Sequence, residues 1–143
     1  MSTNPYTQAV REFHTVFGAA SDRPLSDQAL LAARLRFIDE EVAELKQAVA
    51  EMSANPTPAT TAMMMRELAD VLYVVTGFAV AFGLPLEDAF ARVHQANMSK
   101  LVDGKPLTDA SGKILKGPNF CPPQLDDLAT PFVCASPAHK AEG

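Results

Sequence analysis

Five carboxylate side chains in two short segments are the residues of this chain whose type and spacing most clearly suggest a chemical function. The segment IDEEVAEL carries Glu40, Glu41 and Glu44, and the segment RELAD carries Glu67 and Asp70. At about 100° per residue, the three glutamates share one flank of a helix, next to its apolar stripe. Glu67 and Asp70 share one face of a segment that is otherwise apolar. Two neighbouring carboxylates in apolar surroundings are costly to desolvate unless a cation compensates them.

Divalent cations offer the compensation that these carboxylates need. Mg²⁺ takes oxygen ligands, and proteins usually hold it with a few carboxylates together with substrate phosphates. Arg66 is expected to point elsewhere on the helix and to leave the two acids beside it without a shared counterion. If the two acidic faces meet, their charge exceeds that of one ion, which predicts more than one ion when substrate is bound. The alternative is a solvated acidic face, which is the usual setting of E-E-x-x-E.

Four helices are predicted to position these residues. Their apolar spacing and turn residues place them at 6–17, about 27–52 with Ser26 as N-cap, 61–83 and 86–100. The third helix is apolar nearly all round and is expected to be central and most buried, and SANPTPATT before it is expected to be a loop. We therefore expect an all-α fold, an antiparallel four-helix bundle. The core stripe of the second helix consists of Leu31, Leu35, Ile38, Val42, Leu45 and Val49.

The chain changes character after residue 100. The segment that follows is rich in Gly, Pro and Lys, and a short hairpin is predicted around DASG. Residues 1–120 are expected to form one domain, and 121–143 an irregular, Pro-rich tail. Cys121 and Cys134 lie in that tail without C-x-x-C spacing, which favours ordinary thiols in a reducing cytosol.

Charge and hydropathy disfavour several functional classes. The chain has 143 residues, 12 of them basic and 17 acidic, for a net charge of −5. That sign disfavours nonspecific binding to nucleic acid or to anionic membranes. The N-terminal segment lacks the pattern of a secretory signal, and no apolar run reaches the length of a membrane span. We expect a cytoplasmic protein with a small-molecule partner and no nucleic-acid or membrane partner.

The two acidic motifs together resemble those of a known enzyme family. EEVAE followed by ELAD is similar to the E-E-x-x-E and E-x-x-D signature of the all-α nucleoside triphosphate pyrophosphohydrolases. These MazG-like enzymes include dimeric dUTPases and phosphoribosyl-ATP pyrophosphohydrolase. GLPLEDAFARVHQANMSK resembles the fourth helix of the family, and the whole resemblance covers residues 10–116. EFHTVFG combined with ANMSK, DGK and GKILKGPN resembles the branch that acts on dUTP.

The resemblance implies hydrolysis of the α–β phosphate bond of a nucleoside triphosphate, here dUTP, to a monophosphate and pyrophosphate. Carried over by position, Glu41, Glu44, Glu67 and Asp70 would be ligands of Mg²⁺, with Mn²⁺ as an alternative ion. Glu40 would position or deprotonate the attacking water. The implied role is the removal of unwanted nucleotides from the cellular pool.

Other functions remain open at this point. One is a broad or noncanonical nucleoside triphosphate pyrophosphatase, and another is a noncatalytic regulator that binds nucleotide or metal on the same fold. A ferritin-like di-iron bundle is disfavoured, because such bundles use Glu-x-x-His pairs and this sequence has none.

Three residues near the end of the predicted fourth helix have both a structural and a functional interpretation. Lys100 favours a helix C-terminus electrostatically, whereas the resemblance indicates that Asn97 and Lys100 contact phosphate. His94 shares the face of Asn97 and serves either packing or substrate binding.

Five further residues are substrate-binding candidates. Lys105, Lys113 and Lys116 form either a solvated loop or a flap that closes over the phosphates. His14 and Phe17 are candidates for lining a base pocket, with the aromatic ring stacked on a pyrimidine. Ordinary core packing is the alternative for Phe17 and for its neighbour Phe13.

Subunit association is predicted from the apolar surface that four helices leave uncovered. Met63, Met64 and Met65 are expected to pack in the core or at a subunit contact. We expect a homodimer or a higher homo-oligomer with the site near that contact.

Overall fold

The computed structural model describes residues 4–132 of the chain, and these are mainly helical. The predicted all-α class is confirmed: the described range contains two isolated β-bridges and no strand. Among the described residues no single helix is long and apolar enough to cross a membrane; the helices Pro58–Phe82 and Leu86–Met98 meet the criteria of length and composition only when they are taken together. The elements are α1 (Pro5–Phe17), α2 (Gln28–Ala54), α3 (Pro58–Phe82), α4 (Leu86–Met98), α5 (Asp126–Ala129) and a 3-10 helix (Thr130–Phe132).

Helix α1 has the bounds that its sequence predicts to within one residue. The side chain of Asn4 accepts a hydrogen bond from the Tyr6 amide at 2.9 Å and caps the N-terminus. Gly18 adopts the left-handed conformation with φ 66° and ends the helix. The loop that follows is tied to the end of α3, because the Arg23 amide donates to the Ala81 carbonyl at 2.8 Å.

Helix α2 begins one residue later than predicted. Asp27, and not Ser26, is the N-cap, since its Oδ1 accepts a hydrogen bond from the Leu30 amide at 3.1 Å. The predicted apolar stripe of α2 is covered only in part: Leu35 is 55% and Val49 40% exposed. Within the first unit α2 packs mainly against α3, so only the face of α2 that contacts α3 is covered.

Helix α3 begins at Pro58, three residues before the predicted start, and the predicted loop is correspondingly too long. The reason is a capping box: Thr57 Oγ1 accepts from the Thr60 amide at 3.2 Å, and Thr60 Oγ1 accepts from the Thr57 amide at 3.0 Å. Proline at the first helical position is compatible with this start. Only residues 55–57 therefore separate α2 from α3.

Helix α3 packs against both α1 and α2, as expected of a central helix. Its last seven residues, 76–82, are mostly buried, including Phe82, which is 1% exposed. Its N-terminal half is not, since Met65 and Leu68 are each 57% exposed. Among the described helices α3 contains the most buried residues, as predicted, and all of them except Glu67 lie in 76–82.

The chain divides into two compact units, of which the first ends at Leu84 and the second begins at Pro85. The first contains α1, α2 and α3, and the second contains α4 and the short elements that follow. The four-helix bundle and the domain boundary at residue 120 stay predictions.

The second unit contains the predicted turn around DASG without a regular hairpin. Thr108 and Ile114 form an isolated bridge, and Asp109 Oδ1 accepts hydrogen bonds from the amides of Ser111 and Lys113 at 2.8 and 3.0 Å. The pairing ends after single bridges, so no strand forms here.

Part of the predicted irregular tail is helical. Helix α5 follows residue 125, and Arg92 Nη2 donates to Asp127 Oδ2 at 2.7 Å, which ties α5 to α4. Cys121 carries an exposed thiol, whereas Cys134 and the rest of 133–143 lie outside the described residues.

Candidate metal centre

The two acidic motifs meet on the seam between α2 and α3. Carboxylate oxygens of Glu41 on α2 and of Glu67 and Asp70 on α3 all lie within 4.8 Å of one another. Three of the five predicted carboxylates therefore form one cluster, which we call the acidic cluster. Its donor set, three carboxylate oxygens, suits a hard divalent cation.

The acidic cluster has a buried base and an open side. Glu67 is only 6% exposed, and its Oε2 is buried without a hydrogen-bond partner. Asp70 is more accessible, with 43% of its side chain exposed. A buried carboxylate oxygen without a donor is unfavourable, and a cation at this position would satisfy it. The residues present therefore fit a divalent metal ion.

Arg66 lies beside the acidic cluster, contrary to the expectation that it points elsewhere. Its Nε is 3.7 Å from Glu67 Oε1 and 3.6 Å from Asp70 Oδ2. The direction of its Cβ on the helix suggested otherwise, but the long arginine side chain reaches both the adjacent Glu67 and Asp70, one turn away. The Arg66 side chain is 72% exposed, so these pairs are weak, and they leave Glu67 Oε2 unpaired.

Glu41 is surrounded by other carboxylates, and its pKa is raised. Burial raises the pKa of its carboxyl group, and the negative charges of Glu44, Asp70, Glu67 and Glu40 raise that pKa further. Each of these causes disfavours the ionised form, and a bound cation would reverse them. The acidic cluster is therefore unfavourable as an array of free carboxylates.

Glu44 and Glu40 lie outside the acidic cluster on the exposed flank of α2. Glu40 Oε1 is 3.7 Å from Arg36 Nε, and 58% of the Glu40 side chain is exposed. Glu44 is also exposed, and it is close enough to contribute to the raised pKa of Glu41. Their predicted roles, metal ligand for Glu44 and water activation for Glu40, stay predictions.

His14 is buried inside the first unit. It is 2% exposed, and its Nδ1 lies 2.6 Å from the Ala20 carbonyl oxygen, to which it must donate. Burial lowers the pKa of His14; the Ala20 hydrogen bond opposes this effect, and the charges of Arg34 and Arg11 reinforce it. The imidazole is therefore held in its neutral form.

Phe17 is on the surface, and the expectation of ordinary core packing is wrong for it and for Phe13. Phe17 is 71% and Phe13 41% exposed. Their rings stack with centroids 4.4 Å apart, and Phe13 meets Tyr73 edge-on at 5.8 Å. Phe13 and Phe17 are four residues apart on α1, so their side chains lie on the same face of the helix and their rings can stack. The role of Phe17 in base stacking stays a prediction.

The remaining candidates belong to the second unit, so their proximity to the acidic cluster stays a prediction. Lys100 Nζ donates to Asn97 Oδ1 at 2.8 Å. Lys116 Nζ lies 4.7 Å from the centre of the Phe120 ring. The side chains of His94, Lys105 and Lys113 are exposed.

Arg34 was missed by the sequence interpretation. Its Nε is buried without a hydrogen-bond partner, and burial lowers the pKa of its guanidinium group. The signal that could have found it is its spacing: Arg34 precedes Glu41 by seven residues, or about two helical turns, and so shares its face. Gly77 inside α3 was missed as well, and it lies next to Arg34.

Comparison with known proteins agrees with this geometry. The family model of phosphoribosyl-ATP pyrophosphohydrolase matches residues 10–97, a range that includes all five carboxylates. No curated protein matches the chain. The predicted relationship to all-α nucleoside triphosphate pyrophosphohydrolases is thereby confirmed at the level of the family, while a dUTP-specific branch stays a prediction. The chain belongs to the phosphoribosyl-ATP pyrophosphohydrolase family, within the MazG-like all-α nucleoside triphosphate pyrophosphatase superfamily.

Proposed function

We propose that the protein is a Mg²⁺-dependent pyrophosphohydrolase that cleaves the α–β bond of a nucleoside triphosphate, with dUTP as its preferred substrate. The observation that carries this proposal is the acidic cluster with its buried, unpartnered Glu67 oxygen. Family membership supports the reaction class, and the dUTP preference rests on the sequence motifs around His14 and Asn97.

The acidic cluster would hold the divalent cation. Glu67 comes from the buried side and has little freedom to move, whereas Asp70 and Glu41 come from the more open side. This arrangement fixes one ligand and leaves room for phosphate oxygens at the others. When bound, the cation would neutralise charge on the phosphate groups of the substrate.

Two exposed side chains would act next to the acidic cluster. Glu40 would accept the proton of the attacking water. Glu44 would add a ligand for a further ion. Arg66 would leave the acids when the cation arrives and would then be free to contact a phosphate oxygen, a role that suits its exposed guanidinium group.

Six residues of the second unit are further candidates for contacting the substrate. Asn97 and Lys100 would contact phosphate, with His94 beside them. Lys105, Lys113 and Lys116 would form the flap that closes over the bound nucleotide.

We also propose a homodimer in the cytoplasm. Exposed apolar side chains on α3 line an open groove of about 510 Å³, and such surfaces commonly lie at subunit contacts. The groove residues are Met65, Leu68, Ala69, Val71, Leu72 and Val75.

The decisive experiment is product identification with dUTP and Mg²⁺. We expect dUMP and pyrophosphate, and an Asp70→Asn variant, which keeps the side-chain shape and removes the charge, should lose at least about 100-fold of the rate. Orthophosphate with dUDP would place the cut at the wrong bond. Saturable, Mg²⁺-dependent binding without turnover would instead indicate a noncatalytic regulator.

A second candidate substrate is phosphoribosyl-ATP, because the matching family model carries that name. A panel of phosphoribosyl-ATP, dUTP, dCTP and dATP separates the candidates. Equal rates on the three deoxynucleotides would rule out the dUTP preference and favour a broad pyrophosphatase.

A further inference from the structure

Residues 100–120 form a loop whose two ends meet at Ser99. The Ser99 hydroxyl donates to the Ala96 carbonyl at 2.7 Å and accepts from the Cys121 amide at 2.9 Å. It thereby fixes the end of the loop to the last turn of α4. This segment, which we call the lysine loop, carries four lysines: Lys100, Lys105, Lys113 and Lys116.

A close backbone approach forms a second tie at the base of the lysine loop. A Cβ atom placed on Gly117 would lie 2.5 Å from Val102 Cγ2 and 3.1 Å from the Lys100 carbonyl oxygen. Both distances are shorter than ordinary van der Waals contact, and the carbonyl belongs to backbone that cannot turn aside. Gly117 does not have a positive φ angle, so it is the lack of space, and not the backbone conformation, that requires a glycine here.

Val102 connects this close approach to Lys105. The two residues exchange backbone hydrogen bonds of 2.8 and 2.9 Å across a two-residue turn. The turn residues Asp103 and Gly104 have φ angles of 50° and 72°, and positive values at both positions are typical of tight hairpin turns. The position of Lys105 therefore depends on Val102, which in turn packs against Gly117.

Two other lysines are held next to the same approach. Lys116 directly precedes Gly117, and its Nζ lies 4.7 Å from the centre of the Phe120 ring. The Lys100 carbonyl borders Gly117, and Lys100 Nζ donates to Asn97 Oδ1 at 2.8 Å. The contact at Gly117 thus sets the positions of the backbone segments that carry these lysines.

The outer part of the lysine loop offers little packing to keep its lysines in place. Every residue from 103 to 116 is exposed, so this part has no core of its own. Asp109 Oδ1 accepts from the Lys113 amide at 3.0 Å and orders the tip, which leaves the three lysines nearer the base dependent on the base. Ordering exposed cations only when a ligand arrives would cost conformational entropy, and an arrangement formed beforehand avoids that cost.

We propose that Ser99 and Gly117 are positioning residues that hold Lys100, Lys105 and Lys116 as a preformed group of cations for the phosphate chain of the substrate. Ser99 joins the two ends of the lysine loop, and Gly117 sets the spacing between the segments that carry the lysines. Neither residue touches the substrate. The inference deepens the proposed function and rests on it for the contact between these lysines and phosphate.

Hydrogen exchange of the ligand-free protein, measured by NMR, tests whether the lysine loop is preformed. The amides of Val102, Lys105 and Cys121 should exchange much more slowly than those of an unstructured peptide. Gly117→Ala should remove the protection of Val102 and Lys105, and Ser99→Ala that of Cys121, while the amides of the first unit keep theirs. Exchange of these three wild-type amides at the rate of an unstructured peptide would overturn the inference.

Calorimetry with tripolyphosphate in Mg²⁺ tests the effect on phosphate binding. Ser99→Ala and Gly117→Ala should each weaken binding by roughly tenfold, since displaced cations lose much of their contact with the ligand. The KM for dUTP should rise with them, while kcat changes less than about threefold because the acidic cluster is untouched. Ser99→Thr keeps the hydroxyl and should restore the affinity. Thr130→Ala removes a comparable 2.9 Å hydrogen bond to the Asp126 carbonyl elsewhere in the second unit and should change none of these quantities.

The possible results separate this inference from the proposed function. Loss of protection in the variants with unchanged tripolyphosphate affinity and unchanged KM would give Ser99 and Gly117 a structural role only, and hydrolysis of dUTP would be unaffected. A loss of affinity in Ser99→Ala that Ser99→Thr does not restore would contradict a role for the hydroxyl. No binding of tripolyphosphate by the wild type would remove the basis of the inference. Wild-type binding that both variants weaken, without hydrolysis of dUTP, would contradict the proposed function and leave the positioning role standing.

Discussion

Arg66 Nε and Asp70 Oδ2 lie 3.6 Å apart, so an arginine occupies the open side of the acidic cluster. The arginine and a metal ion compete for the same oxygens. Arg66→Ala should therefore tighten Mn²⁺ binding by roughly two- to fivefold, a modest effect because the pair is exposed. Titration calorimetry measures this change, with Lys46→Ala as the surface control. Unchanged or weaker Mn²⁺ binding in Arg66→Ala would show that the arginine is no competitor.

In the absence of metal, the buried carboxylate of Glu67 should destabilise the folded protein. Glu67→Gln replaces a buried carboxylate whose Oε2 has no donor, so the Tm in EDTA should rise, while the increase in Tm caused by Mn²⁺ should disappear. Thermal unfolding with and without the metal measures both effects. Glu12→Gln, at an exposed position of α1, serves as the control. A Tm in EDTA well below that of the wild type would mean that the Glu67 carboxylate is already satisfied within the fold.

The raised pKa of Glu41 predicts a pH dependence of stability. Above its ordinary value of 4.5, the folded protein holds this proton more tightly than the unfolded chain does. The free energy of unfolding in EDTA should therefore fall as the pH rises from that value through the raised pKa. Glu41→Gln cannot ionise and should lack this decline, so its stability advantage over the wild type should grow across the same window. Denaturant titrations at successive pH values test this, and parallel curves for the two proteins would contradict it.

Gly18 and Gly83 have the same backbone conformation, so replacing each with alanine distinguishes the stability lost to backbone strain from the stability lost to a side-chain collision. Gly18 and Gly83 have φ values of 66° and 64°, but only at Gly83 would a Cβ collide, at 2.7 Å from Asp22 Oδ1. Gly18→Ala should lose about 1 kcal/mol of stability through the left-handed conformation alone. Gly83→Ala should lose more, because Asp22 is also held by Arg11 Nη1 at 3.0 Å and cannot move freely. Equal losses in urea unfolding would show that Asp22 yields without penalty.

Helical periodicity predicted which carboxylates share a helix face, but it left open whether the two faces meet, and it placed Glu40 and Glu44 in the same site as the three residues of the acidic cluster. Glu41 faces α3 because it borders the apolar stripe of α2, and Glu67 and Asp70 share a face by their spacing. The position of Arg66 could not be predicted in this way, since a helical wheel gives the direction of Cβ and not the reach of a long side chain. Arg34 was missed for a related reason: in the segment RLRF it looks like an ordinary basic residue beside the apolar stripe of α2, and its burial cannot be predicted from the sequence.

Periodicity also could not predict how much of each apolar face is covered. Leu35 and Met65 belong to apolar stripes but are exposed, since within the first unit α2 and the first half of α3 each lack a second neighbour. The start of α3 was hidden by the composition of its cap: Asn, Pro and Thr look like a loop until the reciprocal Thr57 and Thr60 hydrogen bonds are seen.

The connection of only three residues, 55–57, between α2 and α3 has a consequence for how the protein folds. A short connection brings the two helices together at a small loss of chain entropy, so their hairpin is expected to form early and quickly. The carboxylates that would bind the metal are carried by this hairpin alone. Their mutual repulsion must therefore be overcome at an early stage of folding, which makes the ionic composition of the medium a factor in the folding rate as well as in the final stability.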